Sequence, residues 1–319
     1  MVDDFRDQAN YYGSRGEPFF FAIDFELGEY IISEKPDNVL YKVGRYSNYD
    51  FRKETVKKIE LNPEFINFKH YKKVFKRVIE EIKKGNTYLL NLTFSTKLNG
   101  KSINLKYIFE NSDAEFKLFV EERFVCFSPE RFIKIDKNII MTYPMKGTID
   151  ASLKNAEDLI LHDEKEMSEH LMVVDLLRND LSMVAKKVRV EDYRYLQKIQ
   201  AGDKELLQVS SKIVGLLDEN WRSNIGTILL KLLPAGSISG TPKKKTVSII
   251  KETETHKRGF FTGIFGFFDG MALDSAVAIR YIEKTDKGFI YKSGGGITLL
   301  SDVEKEYQEM KDKVYVPVF

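Results

Sequence analysis

Apolar residues recur along this chain with two different periods. Residues 18–25 (PFFFAIDF) are apolar on both alternating faces, the mark of a strand buried on two sides. Val74, Phe75, Val78, Ile79 and Ile82 recur at helical spacing, and Gly85 supplies the stop. Residues 87–94 return to a strand pattern. Four short runs follow, FKLFV, RFVCF, RFIKI and NIIMTY, and the tight turns between them predict an antiparallel meander. A helix is expected over 165–181, strands near Val188 and Ile213, and helices near Ile225 and Lys243. Strands are expected over 261–268, 273–282 and 289–293, then a closing helix from Ser301. Strand meanders with segregated helices predict an α+β fold, antiparallel sheets covered by outer helices. No repeat and no Gly/Ser/Pro-rich linker divides the chain, so residues 1–319 are read as one domain.

Composition narrows the classes. Lys and Arg number 50 against 48 Asp and Glu, a net charge of +2, which argues against coating nucleic acid or an anionic membrane. A 43% hydrophobic share excludes a disordered chain. The single cysteine excludes a disulfide framework and a cysteine-based zinc site. No apolar run reaches the roughly 18 residues that span a bilayer. The opening MVDDFRDQAN is acidic and polar, unlike a secretory signal. The expectation is a cytoplasmic protein with neither nucleic acid nor membrane as partner.

The candidate chemistry lies in acids beside apolar stripes. Glu166, Glu169 and His170 share one helix face, and Val173 and Leu177 continue it. Two readings stand: Asp163 with Glu166 as a capping box and Glu169 with His170 as a local ion pair, or buried carboxylates that need a cation. The closing helix repeats the pattern. Ser301 and Glu304 read as a capping box, Val303, Tyr307, Met310 and Val314 as the apolar stripe, and Glu306, Glu309 and Lys313 as a stripe beside it. Facing each other, the helices would offer four carboxylates with no thiol or imidazole cage, which suits Mg²⁺.

Lys146 ends an apolar stretch and precedes Gly147 in a turn, as a surface lysine or as an amine nucleophile whose pKa is lowered from about 10.4. Glu130 pairs with Arg131 at a turn, or is a partly buried general acid. Gly294, Gly295 and Gly296 form a plain turn, or a backbone nest for a carboxylate. In GSISGTPK, Thr241 reads as an N-cap with Pro242 in the first turn; the spacing rejects a P-loop, and a helix N-terminus shaping a carboxylate pocket is left open. Lys243 to Lys245 read as a solvated run. Arg280, inside the apolar strand AVAIRYIE, needs an anionic partner.

Taken together, SPERF, PMKGT, KEMSEHLMVVDLLRNDL, GSISGTPK, GFFTGIFGFF, AVAIRY, SGGGI and SDVEKEYQEM resemble the chorismate-utilising enzymes, with 69–315 the best-matching core after a short part over 1–68. The resemblance implies Mg²⁺ held by Glu169 and Glu306, with Glu166 and Glu309 in support. It implies Lys146 as nucleophile, Glu130 as general acid, and Gly147, Thr148, Arg280, the Gly294–Gly296 loop and Lys313 as holders of the substrate carboxylates. Lysine at 146, where the anthranilate-forming branch carries alanine, resembles the aminodeoxychorismate-forming branch. Leu89 aligns with a water-activating lysine of the isochorismate-forming branch, so no base is expected there. Phe261 stands where relatives often carry a substrate-bonding tyrosine. Cys126 reads as core, so the resemblance implies ammonia from a separate glutamine amidotransferase subunit. The chain closes ten residues after Glu309, so no fused lyase is expected. The alternatives are the anthranilate-forming reaction and a non-catalytic chorismate-binding subunit that docks a glutaminase.

Overall fold

The alternation of one strand sets the layering. Phe19, Phe21 and Ile23 of strand Phe19–Ile23 enter a core shared with the helices, while Phe20 and Ala22 enter a second core between two sheets. Both faces are therefore dry, which is why the run is apolar throughout. Each buried phenylalanine contributes roughly 1.5–3 kcal/mol. The computed structural model describes residues 2–51, 59–100, 103–201 and 204–317.

Two nine-stranded antiparallel sheets pack face to face. The first runs Met145–Asp150, Lys204–Leu216, Ile139–Thr142, Arg131–Asp136, Leu273–Val277, Ile264–Phe268, Phe19–Ile23 and Tyr30–Ser33, with Lys186–Ala201 also paired to Lys204–Leu216. The second runs Gly240–Thr241, Leu89–Leu98, Gly288–Ile297, Tyr281–Thr285, Phe124–Ser128, Phe116–Val120, Val39–Val43 and Tyr46–Ser47, with Pro63–Glu64 on Leu89–Leu98. The residues before 69 thus supply strands to both sheets. Cys126 and Phe124 point into the inter-sheet core, while Val125 and Phe127 face a third core under helix Leu105–Asn111. The α+β expectation holds. Helix Phe68–Lys83 buries Tyr71, Phe75, Val78 and Ile82, takes Asn67 as N-cap, and stops where Gly85 adopts φ +74°.

The expected meander is divided between the sheets. FKLFV and RFVCF lie in the second sheet and RFIKI and NIIMTY in the first, with the crossing at Pro129 and Glu130. The strand expected over 273–282 also breaks. Leu273–Val277 stays in the first sheet, Tyr281–Thr285 joins the second, and Arg280 takes φ +55° at the corner. A strand cannot pair in two face-to-face sheets without such a bend. The corners bond to each other: Val277 N–H donates to Glu130 O at 3.1 Å and Phe127 N–H to Arg280 O at 3.3 Å.

The turn expected at Lys146 is a strand. Residues 139–150 follow one edge of Lys204–Leu216, from Ile139 opposite Leu216 through Thr142 opposite Ile213 to Met145 opposite Ser210. A bulge then brings Thr148 opposite Gln208. The other edge carries Lys186–Ala201, so both strands are longer than their apolar centres at Val188 and Ile213 suggest.

Candidate functional site

Helix Glu164–Ser182 starts at Asp163, whose carboxylate accepts from Glu166 N–H at 2.9 Å. The cap and the buried acids are both real. Glu169 is only 5% exposed, with Oε2 3.6 Å from Lys146 Nζ and Oε1 3.6 Å from Lys165 Nζ. Burial, reinforced by Glu169, pushes the Glu166 carboxyl up. His170 does not pair with Glu169. Its Nε2 lies 2.7 Å from the Ser211 hydroxyl, its Nδ1 is buried without a hydrogen-bond partner, and burial with Arg194 nearby lowers its pKa to about 4.

The closing helix Val303–Asp312 is capped by Asp302, not Ser301. The Asp302 carboxylate accepts from the N–H groups of Glu304 and Lys305, both at 3.0 Å, and the Ser301 hydroxyl turns instead to Glu306 Oε1 at 2.8 Å. Glu306 Oε1 also takes Lys165 Nζ at 2.8 Å. Lys313 Nζ lies 2.6 Å from Glu309 Oε1 and donates to Gly294 O at 2.8 Å. Partial desolvation opposes the charge on Glu309, but Lys313, with Lys146 and Lys165, outweighs it and holds that carboxyl low. Lys313 is pushed down by burial, with Arg280 and Lys146 adding to the effect.

The three glycines form no loop. They lie inside strand Gly288–Ile297, opposite Thr93, Leu92 and Asn91. Their use is close approach. A Cβ on Gly295 would sit 3.4 Å from Glu306 Oε2 and 3.5 Å from Glu309 Oε1, and one on Gly296 would sit 3.3 Å from Lys146 Nζ. The neighbouring strand Tyr281–Thr285 ends opposite Lys292, so among the described residues the segment bearing the glycines is paired by strand Leu89–Leu98 alone.

The bulge in strand Met145–Asp150 re-aims Lys146 towards the helices' acids, a use to which bulges are commonly put. Gly147, at φ +81°, makes the bulge feasible. The charge state differs from the sequence expectation. Burial pulls the Lys146 pKa down, but Glu169, Glu309, Glu166 and Glu130 outweigh it and hold the amine above its usual range. Glu130 is not engaged by Arg131, which pairs with Asp274 at 2.8 Å and Glu115 at 2.5 Å. Burial drives the Glu130 carboxyl up, against a hydrogen bond from Ser237 and the pull of Lys146, Arg280 and Lys313. Arg280 lies 5.4 Å from the Tyr315 ring, and its Nε has no hydrogen-bond partner.

Five carboxylates thus gather with four cations, the acids being Glu130, Glu166, Glu169, Glu306 and Glu309 and the bases Lys146, Lys165, Arg280 and Lys313. Their donors are hard oxygens, and Glu169 Oε1 is buried with no hydrogen-bond partner. That chemistry fits Mg²⁺, which commonly takes one or two protein carboxylates and keeps several waters. Among the described residues no three acidic, histidine or cysteine side chains form a ready ligand cluster, and Lys165 lies between Glu169 and Glu306.

Thr148 stands apart, exposed on the strand beyond the bulge. Lys165 and Ser237 were missed, since a lysine in a first helical turn and a serine in a glycine-rich run carry no distinguishing pattern. Leu89, 2% exposed, packs beside Gly296. Phe261 lies in the inter-sheet core, its ring 5.8 Å from that of Tyr281. Thr241 is not a cap: it pairs with Leu89 in a two-residue strand, and Pro242 holds the N-cap position of helix Lys243–Thr253. Lys243 is not solvated; its Nζ meets Asp180 Oδ2 at 2.7 Å and Leu232 O at 2.9 Å.

Residues 10–318 match the chorismate binding enzyme family. The chain is 50% identical to an uncharacterized PabA-like protein of Pasteurella multocida, over 98% of each chain. It is 30% identical to anthranilate synthase component 1 of Aquifex aeolicus over 80% of this chain, and 29% identical to aminodeoxychorismate synthase component 1 of Bacillus subtilis over 76%. It spans 54% of the length of each of those two synthases. In fold it resembles the menaquinone-specific isochorismate synthase of Escherichia coli, with a TM-score of 0.75 at 16% identity, covering 98% of this chain and 80% of that one. No helix among the described residues is long and apolar enough to cross a membrane. By the extent of the family match and its full-length relative, the chain belongs to the chorismate binding enzyme family.

Proposed function

We propose that this chain aminates chorismate at C4 to give 4-amino-4-deoxychorismate, as an aminodeoxychorismate synthase component I. The observation that carries this reading is the Lys146 amine, bulged out of its strand into a ring of glutamates beside a half-buried Glu130 whose carboxyl desolvation pushes up. Neutral Lys146 attacks ring C2, the double bond shifts, and the C4 hydroxyl leaves as water with the Glu130 proton. Ammonia then attacks C4, the double bond returns, and the Lys146 amine is expelled. One difficult substitution at a single carbon becomes two allylic displacements.

Arg280, with an unpartnered Nε, and Lys313 are the cations available to the two substrate carboxylates. The five acids and four bases nearly balance, so a dianionic substrate calls for added positive charge. Mg²⁺ held by Glu169 and Glu306, with Glu166 and Glu309 behind them, would act as template and Lewis acid for the ring carboxylate and offset the glutamates' hold on the Lys146 ammonium. Leu89 offers no base to water at C2, which disfavours isochorismate formation. Ammonia must come from solution or from a separate glutamine amidotransferase subunit, because the single cysteine, Cys126, is fully buried and burial pushes its thiol up.

A second reading is anthranilate synthase component I, in which ammonia adds at C2 and pyruvate leaves. The anthranilate synthase match is slightly the stronger of the two synthase matches. Mass spectrometry and fluorescence of the product from chorismate, ammonium and Mg²⁺ separate the two. We expect the mass of aminodeoxychorismate without anthranilate fluorescence. Anthranilate as the main product would hand the site to the second reading, and no turnover at all would leave a chorismate-binding subunit.

A further inference from the structure

Lys165 belongs to neither chemical role above, yet it joins the two acid-bearing helices. Its Nζ is 2.8 Å from Glu306 Oε1 on the closing helix and 3.6 Å from Glu169 Oε1, one turn further along its own helix. The second distance is an ion-pair distance but too long for a hydrogen bond, so Glu169 Oε1 stays buried and unbonded. One ammonium thus serves two carboxylates unequally.

The three lysines of the cluster differ in what holds them. Lys313 is anchored on the Gly294 carbonyl as well as on Glu309. Lys146 is set by the bulge of its strand. Lys165 is held by the two carboxylates, and its side chain is 29% exposed, against 6% for Glu169 and 1% for Glu306. When this contact rearranges, the lysine has solvent to enter and the acids do not.

We propose that Lys165 is a built-in counter-ion that bridges the two helices and that a divalent cation must displace. This inference rests on the reading that Glu169 and Glu306 hold Mg²⁺. A magnesium ion at about 2.0–2.1 Å from Glu306 Oε1 would repel the ammonium that now lies 2.8 Å from the same oxygen. The lysine therefore keeps the acids close and compensated, and at the same time weakens the binding of the metal. It is a positioning residue.

The test is calorimetric titration of MgCl₂ into the full chain without substrate, comparing wild type, Lys165→Gln and Lys165→Arg. Lys165→Gln is expected to bind Mg²⁺ about tenfold more tightly, equivalent to about 1.4 kcal/mol, and to melt at a lower temperature in EDTA. Lys165→Arg should remain close to wild type. Unchanged or weaker binding in a folded Lys165→Gln, with wild type still binding, overturns the counter-ion role and leaves the metal reading standing. No Mg²⁺ binding in wild type or in the folded variant removes the metal reading and this inference with it. A readout on the unaltered chain guards against a variant that fails to fold. Acetylation of Lys165, followed by peptide mass spectrometry, should run several-fold faster in saturating MgCl₂ while Lys313 stays unchanged; equal rates or protection at Lys165 would refute displacement.

Discussion

Two lysines of this fold, Lys117 and Lys146, are driven in opposite directions. Lys117, 2% exposed, reaches the carbonyls of Phe109 and Ser112 at 2.7 Å each and lies 3.8 Å from the Phe51 ring centre. Burial, with Lys42 adding repulsion, pushes its pKa down to about 7. Lys146 loses its water too, yet four glutamates raise it. Desolvation beside another cation lowers an amine's pKa, whereas desolvation among acids leaves it raised. On the proposed mechanism, the Lys146 amine has to lose that proton before it can attack. Lys117 meets the usual test for a reactive lysine better, but it is sealed between a strand and a helix with nothing to attack.

That contrast can be broken most severely at Lys146 itself. Lys146→Ala should lower aminodeoxychorismate formation by roughly 10³-fold or more, as loss of a nucleophile does, and should abolish any adduct trapped for intact-mass measurement. Full output from that variant would end the nucleophile role. Glu169→Gln should cost about 10²-fold in rate at fixed Mg²⁺ and raise the Mg²⁺ requirement; an unchanged Mg²⁺ titration would discredit the metal assignment. The same variant sharpens the comparison, because removing the first of the four acids should move Lys146 towards the state of Lys117. Its acetylation should then begin at lower pH than in wild type.

The smallest effect is expected at Lys117. The folded pKa of about 7 lies below the ordinary 10.5, so the unfolded chain binds the proton more tightly in that window. Stability should rise with pH from about 7 towards 10.5, and fall back as pH drops to about 7. Lys117→Met should flatten that slope in urea unfolding at pH 7 and 9.5 without altering product formation. A slope equal to wild type would mean that Lys117 remains charged in the fold.

Much of this was legible in the chain. The strand around Phe19–Ile23, the Tyr71–Ile82 helix and both acid-bearing helices follow from apolar spacing, because that spacing reports burial. Helix Val2–Arg15 was not expected. It buries Phe5, Ala9 and Gly13, with Gly13 against the Arg222 carbonyl, and small contact residues leave no apolar stripe to read. The division of the strand runs between two sheets also escaped, since a corner and a turn look alike in one dimension. Lys146 was expected in a turn because the Pro144–Gly147 composition suits one; pairing with Lys204–Leu216 overrode it. Ser301 lost the cap to Asp302 because its hydroxyl reaches Glu306. Whether Lys146 carries a proton depends on acids from several elements, which local sequence does not contain.

The corners that carry Glu130 and Arg280 have a consequence for how such a site can change. Each residue sits where its strand changes sheet, and each backbone carbonyl is bound by an N–H from the other corner's neighbourhood. Inserting or deleting one residue in either strand would turn alternate side chains over and unseat the acid and the guanidinium together. This frame tolerates exchange of side chains far better than any change of length. New selectivity on it should arise by point replacement, and grafted loops should fail.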